Sequence, residues 1–249
     1  MGGLIAAGLL RSIGWDVMVF ERTVGNLAGR GAGLGISDEL LRVFERIGVP
    51  FVPSAGVAHS ASVWMDEMGQ IVFKNKRPTV GSTWPRVYQP LRDGLPQDCY
   101  RQGMTLVHVE QDLHSVRAVF QDGSCESGDL LVAADGVFST VRRQFMPNIA
   151  PCFAGYVAWR GIVEECDVPA ATREIISDHL LFCFPEGEML LTMAVPGPGE
   201  DMRPGYRRIY FIWYRPASDD ALNDLFTDQN GKNHGFSIPP PLIRKEFIH

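Results

Sequence analysis

The chain has 249 residues, 45% hydrophobic and 21% charged, with 26 glycines and 17 prolines. This is a globular composition that excludes collagen-like, disordered and heptad-repeat architectures and allows one large domain or two small ones. Lys and Arg number 23 against 29 Asp and Glu, a net charge of −6, so no cationic surface is offered to a phosphate backbone and nucleic acid is not expected as a partner. No apolar run reaches the roughly 18 residues that cross a bilayer, and the opening MGGLIAAGLL lacks the basic start of a secretory signal; a soluble, cytoplasmic protein without a membrane span is the default expectation.

Residues 2–22 read GGLIAAGLLRSIGWDVMVFER. Small and apolar residues at Gly3, Ile5, Ala6, Leu9 and Leu10 recur near helical spacing, and Ile13-Gly14 suits a C-terminal cap, which predicts a helix of about ten residues. Residues 16–20 then form a short apolar run closed by Glu21-Arg22, the profile of a parallel strand covered on both faces. Helix, glycine turn and strand make the second half of a βαβ unit. The stretch 29–36, GRGAGLGI, reads as a glycine-dense loop, and Ser37 as the N-cap of a helix that Gly48 ends. Two strand-like runs, 61–65 and 70–73, flank Asp66-Glu67-Met68-Gly69 as a hairpin. Residues 84–95 have helical spacing at Tyr88, Leu91 and Leu95, limited by Pro85 and Pro90 to a short or kinked helix.

Strands are predicted at 104–109 and 115–120, and the apolar run 130–134 has the profile of a fully buried strand leading into Asp135-Gly136. Further strands are predicted at 156–163, 180–184, 189–195 and 208–214, a β-rich region with Gly/Pro turns. The tail after Pro216 reads as a short helix and an extended segment.

Metal and disulfide chemistry are not expected. The five cysteines (Cys99, Cys125, Cys152, Cys166, Cys183) include no C-x-x-C pair, and the six histidines show no H-x-x-x-H spacing. Trp159 and Trp213 are expected to pack inside a sheet-covered core rather than stack on a ligand.

Two stretches point to a nucleotide. Glycines at a strand-to-helix turn let backbone N–H groups approach a pyrophosphate, and an acidic residue about 20 positions on can accept ribose hydroxyls. Gly2-Gly3 and Glu21 stand in that relation, with only the rear half of the fingerprint present. The string GDLLVAADGVFSTVRR, residues 128–143, sets an acidic residue and a glycine after an apolar run and before a Ser-led helix bearing arginines. That arrangement suits ribose or phosphate. It equally suits a tight turn in which Ser139 caps the helix and the arginines are solvated.

Together these stretches resemble the flavoprotein aromatic hydroxylases, the para-hydroxybenzoate hydroxylase class, and within it the 2,6-dihydroxypyridine hydroxylase-like subgroup. The likeness rests on the rear of the FAD fingerprint with Glu21-Arg22, on residues 30–35 (RGAGLG), and above all on the Asp-Gly string. Subgroup flavour comes from Ser82-Thr83-Trp84, from 156–161 (YVAWRG), and from 225–228 (LFTD) with 237–240 (SIPP).

The resemblance implies an α/β fold: an incomplete Rossmann-like FAD-binding domain of the glutathione-reductase type over 1–150, carrying a hairpin insertion near 57–80, and a β-rich substrate region over 151–249. It implies FAD and NAD(P)H as cofactors and a small aromatic or N-heteroaromatic substrate, with a homodimer left open. Gly2, Gly3, Glu21, Arg22, Arg30, Asp135, Gly136 and Arg142 become the cofactor-binding set. In such proteins the flavin performs the oxygen chemistry, so the protein supplies orientation and desolvation, and no catalytic base is nameable from sequence. The family's first strand, leading glycines and later Gly-Asp segment are not found, which reads as a fragment shortened at both ends, with its own activity in question. The competing reading is a degenerate, non-catalytic relative acting as a binding module; a flavin reductase is disfavoured by the β-rich region at 152–214.

Overall fold

The computed structural model describes residues 1–25, 27, 33–51 and 56–247. Helix α1 (Gly2–Ser12) ends at Ile13, after which Gly14 takes a left-handed conformation, φ 93°. Strand β1 (Val19–Glu21) follows, shorter than its apolar run, and pairs in parallel with β7 (Tyr100–Gln102). Of the glycine-dense stretch, the last part is strand β2 (Gly33–Ile36) rather than loop. Ser37 then caps α2 (Asp38–Arg46) by accepting the Leu40 N–H at 3.3 Å, and Asp38 and Glu39 sit favourably in its first turn.

The chain next makes β3 (Val57–His59), the hairpin β4 (Ala61–Met65) and β5 (Ile71–Asn75), and β6 (Thr79–Thr83). Helix α3 (Trp84–Asp93) starts with proline in its first turn and carries Pro90 within it. One face of α3 packs Val87, Tyr88 and Leu91 against Leu4 and Ala7 of α1 and Phe44 of α2, forming the first core. Phe44 is 1% exposed, so truncating it to alanine costs about 3–5 kcal/mol.

Strands β8 (Leu106–Gln111), β9 (Val116–Phe120) and β10 (Cys125–Gly128) form an antiparallel meander. The run 130–134, expected to be a buried parallel strand, belongs to no ladder among the described residues, and all of it but Leu131 is exposed. An apolar run becomes a strand only where a neighbour offers backbone partners, and here it runs on into α4 (Thr140–Phe145) unpaired.

The remaining elements are β11 (Tyr156–Glu164), α5 (Ala170–Ile176), β12 (His179–Cys183), β13 (Met189–Val195), β14 (Arg208–Pro216) and α6 (Asp219–Leu225). Six strands make one sheet in the order β11-β14-β13-β12-β4-β5, antiparallel except for the parallel β12–β4 pair. The hairpin from the first part of the chain therefore completes the sheet of the last part. One face of this sheet buries Val63, Met65, Leu181, Ala194 and Ile209 with Val57 and with Ile176 of α5.

Buried polar groups tie the pieces together. Glu165, 1% exposed, accepts from Arg207 Nε (2.9 Å) and Nη2 (2.5 Å), the Ser177 hydroxyl (2.5 Å) and the Gly205 N–H (2.7 Å). Burial works to raise this carboxyl, but the Arg207 bonds and the other donors prevail and bring it to about 2. His59, also 1% exposed, accepts the Ala194 N–H through Nε2 at 3.1 Å, serving β13 beyond Thr192, the last residue of its ladder with β12. Burial, with help from the Arg207 charge, lowers His59 to about 4 and keeps it neutral. No helix among the described residues is long and apolar enough to cross a membrane.

Candidate functional site

Helix α1 begins with glycines at positions 2 and 3, without a side-chain cap and without an acidic residue in its first turn. The first N–H groups of a helix have no intrahelical acceptors, so this end presents donors and the positive end of the helix dipole. A Cβ on Gly2 would meet nothing within 4 Å, so the space above the helix start is open. A Cβ on Gly3 would touch the Ala134 side chain at 3.4 Å, which places the residue before Asp135 against the same helical turn.

Glu21 ends β1 on the other flank. Its Oε1 accepts the Thr23 N–H at 2.8 Å, and its carbonyl accepts the Met104 N–H at 3.0 Å. Burial lowers the Met1 amino group, and the Glu21 charge opposes that shift. Ala134, beside the Asp-Gly turn, thus touches the first turn of α1, and the Glu21 charge acts on the Met1 amino group that precedes it.

The Asp-Gly turn is built from its own residues. Gly136 adopts φ 81°, a conformation that favours glycine over any residue with a Cβ. Asp135 Oδ2 accepts the Thr140 and Val141 N–H groups at 2.7 and 3.3 Å, and Ser139 Oγ accepts the Arg142 N–H at 2.9 Å. Burial tends to raise Asp135, but hydrogen bonds from Ser139 and from these amides outweigh it and hold the carboxyl below the usual range. Arg142 donates to the Val137 carbonyl, and Arg143 to the Phe138 carbonyl at 2.8 Å. Both arginines thereby grip carbonyls of the turn, Arg143 while remaining exposed. Phe138 meets Phe236 edge-on at 4.9 Å, which docks the tail beside it.

Of the nucleotide-binding set read from the sequence, Gly2 and Gly3 stand at the start of α1, Glu21 ends β1, and Asp135, Gly136 and Arg142 belong to the turn whose preceding residue, Ala134, meets Gly3. Arg22 stands exposed on the bend after β1. Arg30 lies outside the described residues.

A second surface faces β2. A Cβ on Gly33 would fall 2.4 Å from the Tyr210 ring, so glycine is what lets β2 approach the six-stranded sheet. The face carrying Tyr210 also presents Leu180, Met193, Val195 and Ile212, with Arg160 directly opposite Ile212. Burial raises the Tyr210 hydroxyl while Arg160 acts to lower it. The only sequence signal for this contact was the density of glycines around position 33. Trp159 and Trp213 correct the expectation of core packing: they oppose each other across β11 and β14, both half-buried. Trp213 donates to Glu188 at 2.7 Å with Arg215 over its ring, and Trp159, on the outer strand β11, meets Phe247.

The architecture and the sequence are similar to those of monooxygenases that act on aromatic and N-heteroaromatic rings. A family model described as FAD binding domain-like matches residues 153–249. The 2,6-dihydroxypyridine 3-monooxygenase of Paenarthrobacter nicotinovorans is 29% identical over 252 residues, covering 98% of this chain and 62% of its own length. The 6-hydroxynicotinate 3-monooxygenase of Pseudomonas fluorescens is 24% identical over 242 residues, covering 92% and 60%. Among solved structures, 2,6-dihydroxypyridine-3-hydroxylase from Arthrobacter nicotinovorans superposes with a TM-score of 0.84 at 27% identity, covering 98% of this chain and 61% of that one. The chain spans about three fifths of the length of these relatives.

Proposed function

We propose that the chain binds FAD at the start of α1 and takes part in NAD(P)H-driven hydroxylation of an aromatic or N-heteroaromatic ring. The observation that supports this reading is the approach of Ala134, next to the Asp135-Gly136 turn, to Gly3 at the uncapped start of α1, with the Glu21 charge acting on the Met1 amino group. The chemistry there fits a dinucleotide: backbone N–H groups of Gly2 and Gly3 for the pyrophosphate, the Glu21 carboxylate for ribose hydroxyls, and a glycine turn that admits close approach. Arg30 would add positive charge near the phosphates.

Bound FAD would supply the redox and oxygen chemistry. The protein's part is positional. Arg142 and Arg143 fix the turn so that Gly136 keeps its left-handed conformation, and β2 and the six-stranded sheet close against each other through Gly33 and Tyr210. The apolar face with Leu180, Met193 and Ile212 would cover the substrate ring and exclude water, while Arg160 offers an anionic ring a counter-charge. On this reading residues 1–150 form a Rossmann-like flavin domain and 151–249, with the hairpin near 57–80, the substrate region. The hydroxylated pyridines named for the relatives are the first substrates to try.

Purified chain should turn yellow on adding FAD and retain the flavin through desalting, and NADH or NADPH oxidation should rise with 2,6-dihydroxypyridine or 6-hydroxynicotinate. Chain that stays colourless contradicts the cofactor site. Flavin binding without substrate-stimulated oxidation supports the binding-module reading instead.

A further inference from the structure

Tyr210 is 6% exposed, and β2 bears on the base of its ring: a Cβ on Gly33 would fall 2.4 Å from its Cδ1, 2.6 Å from its Cγ and 2.9 Å from its Cβ. Glycine at that position lets the strand close on the ring without displacing it. The other end of the side chain reaches Arg160. Tyr210 lies opposite Ile162 and Arg160 opposite Ile212, so the tyrosine and the arginine are diagonal neighbours on one face of the β11–β14 pair. Burial raises the Tyr210 hydroxyl, and Arg160 opposes that shift by its charge and by a hydrogen bond.

Arg160 is exposed and enters no ion pair among the described residues. The acid on its own face of β11, Glu164, is bonded at 2.8 Å to Arg208 directly opposite it, and Glu188 accepts from Trp213 and Arg215. The cross-strand row that starts at Arg160 continues through Ile212, Leu191, Phe182 and Trp64, all four half-buried, with the Phe182 and Trp64 rings stacked at 5.2 Å. A guanidinium without a carboxylate, at the end of an apolar and partly aromatic row, complements a planar ring that carries an anionic oxygen.

We propose that Tyr210 is a positioning residue: set in place by β2 at Gly33, it holds Arg160 over this row, and Arg160 selects a ring bearing an anionic oxygen over its neutral counterpart. The proposal rests on the substrate reading of this face and adds the residues that set its selectivity. It is tested on the 249-residue chain, with and without FAD, by calorimetric titration of 6-hydroxynicotinate, the uncharged amide of that compound, and ionised 2,6-dihydroxypyridine. Flavin retention is scored separately by desalting. Arg160→Met should raise the dissociation constant of 6-hydroxynicotinate by about tenfold or more and that of the amide by less than about threefold, and Arg160→Lys should recover most of the loss. Tyr210→Phe should keep the parent's circular dichroism spectrum and weaken the anion about three- to tenfold while leaving the amide unchanged; a packing role alone would move both ligands together. Loss on both anions assigns Arg160 to the ring oxygen, and loss on 6-hydroxynicotinate alone assigns it to the carboxylate. A parent that binds none of the three or does not prefer the anion, binding unmoved by Arg160→Met, or a Tyr210→Phe effect equal on anion and amide overturns the proposal. Chain that retains no FAD yet shows the charge-selective loss contradicts the cofactor reading alone, and chain that retains FAD without that loss overturns this proposal alone.

Discussion

Replacing Arg207 with methionine should invert the pH dependence of stability, because it strips the main partner from a carboxylate that is 1% exposed. In the intact protein Glu165 sits at about 2 against an ordinary value of 4.5. Its folded-state affinity for protons is thus depressed, and it contributes stability that is fully present above about 4.5 and lost as the pH falls toward 2. At about 1.4 kcal/mol per tenfold change, that contribution is about 3 kcal/mol. Breaking a buried pair by removing one member costs a similar 3–5 kcal/mol, roughly. In Arg207→Met, Ser177 and Gly205 still donate to the carboxylate, but burial is no longer offset by a cation, so the carboxyl should rise above 4.5. The variant should then gain stability between pH 7 and pH 5, where the parent is flat with respect to this group. Urea unfolding followed by circular dichroism at both pH values reads this directly. Adding Glu165→Gln should return most of the loss at pH 7. A loss below about 1 kcal/mol, with an unchanged pH slope, would refute the reasoning.

Other perturbations have equally definite outcomes. His59 is lowered from 6.5 to about 4, so it is neutral when folded and protonates more readily when unfolded; this contributes about 3 kcal/mol above pH 6.5 that is lost on acidification toward pH 4. His59→Gln should flatten that window in a thermal melt. Gly136→Ala should destabilise by about 1–2 kcal/mol because of the positive φ, and weaken FAD retention, measured by desalting and absorbance. Gly33→Ala forces a methyl into the Tyr210 ring and should cost about 1–3 kcal/mol, most of which Tyr210→Leu in the same chain should relieve in a double-mutant cycle.

What the sequence made legible was mostly local. Ser37 with two acidic residues after it marks α2, Gly14 marks the end of α1, and alternation around Asp66-Glu67-Met68-Gly69 marks the hairpin, because caps and tight turns are set by a few adjacent residues. The run at 130–134 misled for the complementary reason: its composition suits a buried strand, while being one depends on a neighbour's backbone that no local pattern encodes. Helix α5 follows Pro169, which offers no capping side chain, and β10 reads Cys-Glu-Ser-Gly, so neither carries the usual signal. The buried Glu165–Arg207 pair and His59 were invisible because each joins segments far apart in sequence. At the candidate site, the glycines, Glu21 and the Asp-Gly turn were readable as motifs. That Asp135 would cap α4, and that Arg142 and Arg143 would grip the turn's carbonyls, came only with the coordinates.

The central claim, that the start of α1, Glu21 and the Asp135-Gly136 turn make one nucleotide site, is tested most directly by titrating FAD into the chain and two variants by calorimetry. Saturable binding of one FAD per chain should weaken by about tenfold or more in both Glu21→Gln and Asp135→Asn. Absence of saturable binding by the parent, or binding that neither variant alters, would contradict it.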